Sequence, residues 1–373
     1  MSLKILHIVY SLEPGGMENG IVNMVSRLSN EDLQFEICCL GEAGRMASRL
    51  PDGCSLHVLG KSAGFDRQLP DKLRRLIGEV RPDLLHTHNL GPLIYTALAK
   101  ILGAQGQIFH GEHASLTQND LSLRKRLQRK LLYRFCTALH TVGVSMSQQL
   151  EALKLTSCPV LTLQNGVDTQ RFTPSPDQAA RRGELGLPQN ARMAGIFGRF
   201  GPYKRHDLLL DSFARIGDEF PGLHLLVAGG GGEREPDVLA RIRSHPLASR
   251  IHTVGYLSDP VSHYQSLDLL LIPSDNEGLS NCALEAMSCA VPVLSNRNCG
   301  SDELITDGQD GIVRAMDTPE ALADALVEVM GSDGPGLRAL GAHAREKIIG
   351  GFSLNSMEDA YRNAYQSIAS RRG

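Results

Sequence analysis

Short runs of apolar and β-branched residues alternate along this chain with longer segments in which apolar residues recur every three or four positions. The run Ile5–Tyr10 predicts a strand, and Asn19–Leu28, with Ile21, Val22, Val25 and Leu28 on one face, predicts a helix. Further strands are predicted at Phe35–Leu40, Ser55–Leu59, Leu84–His88, Gln107–His110 and His140–Val144, and helices at Asp71–Val80, Pro92–Leu102 and Leu121–Leu139. After Asn165-Gly166-Val167-Asp168 the composition shifts to Pro174, Pro176 and polar residues up to Asn190, which marks a linker. The alternation then restarts. Strands are predicted at Ala194–Phe197, Leu223–Ala228, Leu267–Ile272 and Val291–Ser295. Helices are predicted at Asp207–Ile216, Asn281–Cys289, Pro319–Met330, Gly336–Ile348 and, beyond Gly350-Gly351, Met357–Ser367.

Strand–helix alternation of this kind predicts an α/β protein with parallel, doubly wound sheets. The expected organisation is two Rossmann-like domains, residues 1–168 and 191–354, joined by a linker at 169–190 and facing a central cleft. Ligands of such sheets bind outside the carboxyl ends of the strands. A length of 373 residues fits two or three domains at about 100–200 residues each. With 42% hydrophobic and 21% charged residues the chain is neither disordered nor fibrous. A net charge of −3 gives no footprint for nucleic acid. The eight cysteines form no C-x-x-C pair and suit neither zinc nor a disulfide scaffold, so they read as reduced, mostly buried structural thiols. The apolar run at Lys4–Tyr10 is too short for a secretory signal, and no stretch approaches the ~20 apolar residues of a membrane span. A soluble cytoplasmic protein is the expectation.

Several groups could carry chemistry. Gly15-Gly16 stands between the first strand and a helix, where glycine lets backbone approach an anion at the helix start. A tight turn needing positive φ explains the pair equally well. The run Gly229–Gly232 also follows a strand and reads as an approach to a nucleotide or, more simply, as a turn. Neither has the G-x-G-x-x-G spacing of a dinucleotide site. His86, His88, His110 and His113 gather near two predicted strand ends, where imidazoles can bond a sugar or shuttle a proton. His-x-His can also bind zinc, but no firm third ligand accompanies it, so no metal is expected. Arg199 and Lys204, at the carboxyl end of the strand Ala194–Phe197, suit a diphosphate. Glu277 and Glu285 flank a strand-to-helix turn, Gly278-Leu279-Ser280, with Ser280 as N-cap. The free N–H groups of that helix start would face an anion, and the carboxylates could accept sugar and ribose hydroxyls. Finally, Arg124, Lys125, Arg126, Arg129, Lys130 and Arg134 accompany Leu123, Leu127, Leu131 and Leu132. This basic amphipathic segment, 121–134, reads either as an anionic-membrane contact or as an outer helix packed on the sheet.

Taken together, Gly15-Gly16-Met17-Glu18, His86-Thr87-His88, Glu112-His113, Asn165-Gly166-Val167-Asp168, Gly198-Arg199…Lys204, the Glu277…Glu285 block running into Ala286-Met287, and Asp307-Gly308-Gln309-Asp310-Gly311 resemble retaining glycosyltransferases of family 4, which have the GT-B fold. The resemblance runs from about residue 4 to about residue 367 and is greatest to sugar transferases of bacterial exopolysaccharide clusters. It implies that Gly15 and Gly16 meet the donor, that His113 contacts the donor sugar, and that Arg199 and Lys204 neutralise the departing nucleoside diphosphate. It also implies that Glu277 holds sugar hydroxyls, that Glu285 holds the ribose, and that the last helix (355–373) packs back on the first domain. Met17, where a small residue is common, and His206, where glycine is common, depart from the family pattern.

The expected activity is metal-independent, retaining transfer of a sugar from a UDP- or GDP-sugar to a glycan or lipid-linked acceptor in cell-surface or exopolysaccharide biosynthesis. No cofactor is expected, and the protein would be cytoplasmic or peripheral on the inner face of the membrane. The competing readings are a nucleotide-sugar 2-epimerase or hydrolase of the same fold, a nicotinamide-dependent dehydrogenase, and a non-catalytic binding subunit.

Overall fold

The computed structural model describes residues 2–30, 32–113, 116, 120–217, 219–275, 277–297, 303–332 and 334–371. The chain divides into two compact units, Met1–Asn165 with Asn355–Gly373, and Gly166–Leu354.

In the first unit the order is β1 (Leu3–Val9), α1 (Gly16–Leu28), β2 (Leu33–Cys39), β3 (Ser55–Val58), α2 (Leu69–Val80), β4 (Leu84–His88), α3 (Leu90–Ile101), β5 (Gln107–Glu112), α4 (Leu123–Leu132), β6 (Cys136–Thr141), α5 (Val144–Ala152) and β7 (Val160–Thr162). The strands form one parallel seven-stranded sheet in the order β3-β2-β1-β4-β5-β6-β7. All five residues of β4 are buried, as expected for a strand covered on both faces. The order reverses between β1 and β4, which places the switch point where a doubly wound sheet binds its ligands.

The second unit contains α6 (Gln178–Glu184), β8 (Arg192–Phe197), α7 (His206–Ile216), β9 (Leu223–Ala228), α8 (Glu235–Arg243), β10 (Ile251–Gly255), α9 (Val261–Tyr264), β11 (Leu269–Ile272), α10 (Asn281–Ser288), β12 (Val293–Asn296), β13 (Ile312–Arg314), α11 (Pro319–Gly331) and α12 (Gly334–Gly351). Its parallel sheet has the order β10-β9-β8-β11-β12-β13, with the switch point between β8 and β11. The last helix, α13 (Leu354–Ala369), belongs to the first unit. There Tyr365 and Ile368 are buried, and the Arg27 guanidinium pairs with Glu358 and donates to Asn355.

Two features differ from the sequence reading, and a third bears on a pair of alternatives it left open. The predicted helix Leu121–Leu139 stops at Leu132. A 3-10 turn, Tyr133–Phe135, follows, and β6 already begins at Cys136 rather than at His140. Leucine spacing continues past the end of α4, but pairing of Cys136 and Ala138 with β5 decides the backbone. Residues 169–190, read as a linker, fold onto the second unit. Asp177 caps α6 by accepting from Ala180 N at 2.9 Å, and buried Arg182 donates to Ser266 O at 2.8 Å and Asp268 Oδ2 at 2.7 Å. On α4 the apolar stripe faces outward: Leu123, Leu127 and Leu131 are 73%, 59% and 60% exposed. Leu132 packs against the core and Arg129 is the buried residue.

The cysteines among the described residues are all free thiols, four of them buried, and Cys299 lies outside the described residues. Burial pushes Cys39 up to about 11 and Cys289 to about 12, away from the thiolate and its reactivity. Among the described residues no helix is long and apolar enough to cross a membrane.

Candidate functional site

In the second unit the predicted cations and carboxylates come from the carboxyl ends of β8 and β11, the two strands that flank the switch point. After β8 the chain turns through Gly198, whose φ of +140° only glycine adopts readily, and reaches the 3-10 turn Pro202–Lys204. The Lys204 ammonium is buried against Glu277, donating to its Oε1, which also accepts from Ser274 Oγ at 2.6 Å. Burial opposes the Lys204 charge, but the Glu277 carboxylate outweighs it and the pKa lies above the usual lysine value. Burial likewise opposes the Glu277 charge, and Lys204 with the Ser274 and Ser280 hydroxyls brings its pKa below the usual carboxylate value. Both groups are therefore ionised at neutral pH.

Arg199 differs. Its side chain is exposed and makes no hydrogen bond or ion pair with the described residues. It is a cation with donors to spare beside a buried one already compensated.

The four glycines after β9 have a structural cause. Gly229 has φ +149°, and a Cβ there would stand 1.8 Å from Gly198 O; a Cβ at Gly232 would stand 2.6 Å from Phe200 O. The two loops are also bonded, Gly198 N to Ala228 O at 3.0 Å and Phe200 N to Gly231 O at 2.8 Å. The glycine run thus holds the backbone of the Arg199 loop. The close approach of the two loops accounts for glycine at 229 and 232. His206 packs its ring on Phe200 at 4.8 Å, and burial together with the Lys204 charge pushes its pKa down to about 4.

Gly278 and Ser280 are half-buried and Leu279 is buried in the turn that follows Glu277. Ser280 occupies the N-cap of α10, but its hydroxyl lies 3.1 Å from Cys282 Sγ and makes no capping bond to the helix backbone. Glu285, one helical turn inside, is half-buried, and its Oε2 accepts from Tyr264 OH at 2.8 Å. Tyr264, stacked on Phe197 at 4.2 Å, is a positioning residue that sequence reasoning missed. Nothing in the spacing ties it to Glu285.

In the first unit Gly15 is the N-cap of α1, with φ −166°, and Gly16 is its exposed first residue. Neither has positive φ, so a strained turn does not explain the pair. Met17 Sδ accepts from Asn89 Nδ2 at 3.2 Å, and Asn89, itself at φ +63°, accepts from His113 N at 3.3 Å.

The histidines form a larger assembly than the sequence suggested, because His7 of β1 and His140 of β6 join it. His113 Nε2 and His88 Nδ1 share a hydrogen bond of 2.9 Å, His88 Nε2 and His7 Nδ1 another of 2.9 Å, and His7 Nε2 lies 3.3 Å from Tyr365 OH. Tyr365 OH is 2.9 Å from His86 Nδ1, and His86 Nε2 is 2.9 Å from His140 Nε2. Each neutral ring donates through one nitrogen and accepts through the other, and Tyr365 OH, which also donates to Met24 Sδ at 3.3 Å, joins the two halves of the chain. His110 stands apart, bonded to Thr87 Oγ1 at 2.8 Å and facing Glu112 at 3.4 Å; Glu112 also accepts from Tyr133 OH at 2.5 Å. His86, His88 and His110 are buried with both ring nitrogens engaged in hydrogen bonds, and half-buried His113 is the one of the predicted four that solvent reaches. Register would have disclosed His7, which pairs with His86, but register is not legible before the sheet order is known.

Burial and neighbouring imidazoles hold His7 down at about 3 and His113 at about 4, with His86, His88 and His140 well below the usual value. The unfolded chain takes up these protons near pH 6.5 while the fold refuses them. The stability of the first unit should therefore be complete above pH 6.5 and fall as the pH drops toward 4, by up to about 1.4 kcal/mol per pH unit for each histidine. Urea midpoints between pH 7.5 and 4.5 check this, and a flat profile would contradict it.

Both units match glycosyltransferase families. Residues 14–171 match the model of Glycosyltransferase Family 4, and residues 191–332 that of Glycosyl transferases group 1. The chain is 32% identical over 236 residues to a D-inositol 3-phosphate glycosyltransferase of Kineococcus radiotolerans, covering 57% of this chain and 54% of the relative. It is 31% identical over 216 residues to the lipopolysaccharide core biosynthesis mannosyltransferase LpsB of Rhizobium meliloti, covering 56% of this chain and 61% of the relative. It thus spans little more than half the length of these relatives. Among solved structures, Anabaena Alr3699/HepE in complex with UDP and glucose superposes with a TM-score of 0.83 at 20% identity, covering 98% of this chain and all of that one. Sucrose-phosphate synthase of Thermosynechococcus elongatus gives 0.82 at 17% identity, covering 99% of each chain. The fold is GT-B, and each of the two matched segments carries the signature of a glycosyltransferase domain family.

Proposed function

We propose that this protein is a retaining, metal-independent glycosyltransferase that moves a sugar from a UDP- or GDP-sugar to a glycan or lipid-linked acceptor in the biosynthesis of a cell-surface polysaccharide. The observation that carries the reading is the pairing of buried, ionised Lys204 with Glu277 at the switch point of the second unit, beside an uncommitted Arg199 and the start of α10. Those groups suit a diphosphate. As the glycosidic C–O bond breaks, its electron pair passes to the diphosphate oxygen, and fixed cations with backbone N–H groups stabilise that charge. The acceptor oxygen attacks the anomeric carbon from the same face, and its proton goes to the leaving phosphate. His113 contacts the donor sugar, Glu277 its hydroxyls, Glu285 the ribose, and Gly15 and Gly16 let the backbone come close to the donor. The transferases named among the relatives favour this reading over an epimerase, and the UDP complex of HepE supports a nucleotide-sugar donor.

The test is a thermal-shift and transfer assay with UDP-, GDP- and ADP-sugars, with and without EDTA, and analysis of the anomeric configuration of the product. Arg199→Ala should lower kcat about 10²-fold without lowering the melting temperature, because the side chain is exposed and unpaired. An unchanged rate would remove Arg199 from the mechanism.

A lipid-linked acceptor is supported by α4 and the turn after it, where exposed Leu123, Leu127 and Leu131 accompany exposed Arg124, Lys130 and Arg134. A helix of this kind buries its apolar stripe at an anionic interface. The protein should float with phosphatidylglycerol vesicles at low salt, and Leu127→Ser with Leu131→Ser should abolish flotation. Flotation of that variant at the wild-type level would refute the contact.

A further inference from the structure

The first unit contains a ligating cluster that the proposed transfer reaction does not require. His88, His113 and His140 each offer a ring nitrogen, and these atoms all lie within 4.8 Å of one another. They come from the carboxyl end of β4, the residue after β5, and β6, three neighbouring strands. His88 and His140 both stand in register with Gly111 between them. A Cβ on Gly111 would lie 2.3 Å from His140 Nε2 and 2.9 Å from His113 Nε2, so the glycine supplies the space in which these nitrogens converge.

We propose that His88, His113 and His140 bind one borderline transition-metal dication, with Zn²⁺ as the reference ion. Three imidazoles from rigid strand ends suit Zn²⁺, Co²⁺, Ni²⁺ or Cu²⁺ and offer nothing to Mg²⁺ or Ca²⁺, which take oxygen ligands. Each neutral ring has one bare nitrogen, but the His88 Nδ1–His113 Nε2 hydrogen bond places a proton on one of those two facing atoms, so binding requires that ring to carry its proton on its other nitrogen instead. Coordination would exchange the His88–His113 and His86–His140 hydrogen bonds for metal–nitrogen bonds, and no proton need leave the cluster. A second set, His7, His86 and His88, lies deeper and shares His88, so the two sets hold one ion between them. The outer set is preferred because His113 is half-buried and gives an ion a way in. Occupancy would withdraw His113 from the donor sugar, making the ion an inhibitor of transfer; that consequence alone rests on the proposed function.

The full-length protein is dialysed against Zn²⁺, then against metal-free buffer, and retained metal is counted by mass spectrometry with no substrate present. Co²⁺ loading is read by visible absorption. A single equivalent should be retained by wild type and lost in both His113→Gln and His140→Gln. It should be kept when the half-buried pair His224 and His252 of the second unit, 3.0 Å apart, is replaced by Gln. Circular dichroism establishes folding of each variant, and should His140→Gln unfold, His113→Gln, at the half-buried position, decides. No retained metal in wild type, or retention that persists in either folded variant, overturns the proposal. Because the readout is binding alone, its failure leaves the glycosyltransferase reading untouched, and a failed transfer assay leaves this one untouched.

Discussion

Lys204→Met is expected to damage stability and catalysis together, and the double variant Lys204→Met with Glu277→Gln to separate them. The side chains of Lys204 and Glu277 are only 12% and 10% exposed. Removing the ammonium strands a buried carboxylate whose remaining donors are the Ser274 and Ser280 hydroxyls. Breaking one side of a buried pair costs about 3–5 kcal/mol, which should appear as a lower urea midpoint for the second unit. Catalysis should fall about 10²–10³-fold, the scale of losing one group placed against developing charge. Replacing Glu277 as well removes the stranded charge, so the midpoint should recover while the rate stays low. Recovery of both would make the pair purely structural. The pair also sets a pH window. The Lys204 pKa is raised, so its contribution is complete below the unfolded lysine value of 10.5 and is lost as pH climbs beyond it. The Glu277 pKa is lowered, so its contribution is complete above 4.5 and is lost as pH falls below it.

Gly229→Ala should cost as much activity without touching a charged group. At φ +149° a side chain is strained, and its Cβ would stand 1.8 Å from Gly198 O, where no rotamer relieves the overlap. The Gly198 backbone must move, and with it the segment carrying Arg199 and Lys204. A displacement of about 1 Å in a catalytic group can cost about 10²-fold in rate. The contrasting site is Gly222, where a Cβ meets nothing within 4 Å. Gly222→Ala should leave the rate unchanged. A Gly229→Ala enzyme of wild-type kcat would show that the loop relaxes freely, and that the glycine run is not what sets the cations.

The alternation of short apolar runs with amphipathic helices made the two doubly wound sheets legible, because burial on both faces writes a strand as a continuous apolar run. The strands it did not disclose, Val160–Thr162, Ile251–Gly255 and Ile312–Arg314, are sheet edges that carry no continuous buried apolar run, since every residue of the first and all of the second but Ile251 are at least partly exposed. Lys204 and Glu277 were legible as candidates because each stands just past a strand end. Their direct pairing was not, since 73 residues separate them and only the adjacency of β8 and β11 joins them. The histidine assembly was half legible. His86, His88, His110 and His113 cluster in sequence, whereas His7, His140 and Tyr365 enter through register and through a helix 279 residues from His86.

The return of α13 to the first unit bears on synthesis. The second unit is one uninterrupted stretch and can condense as soon as Leu354 clears the ribosome. The first unit, begun earlier, waits for Tyr365, without which His7 and His86 lose the hydroxyl that links them in the buried interior. In the nascent chain the half that is translated first is finished last.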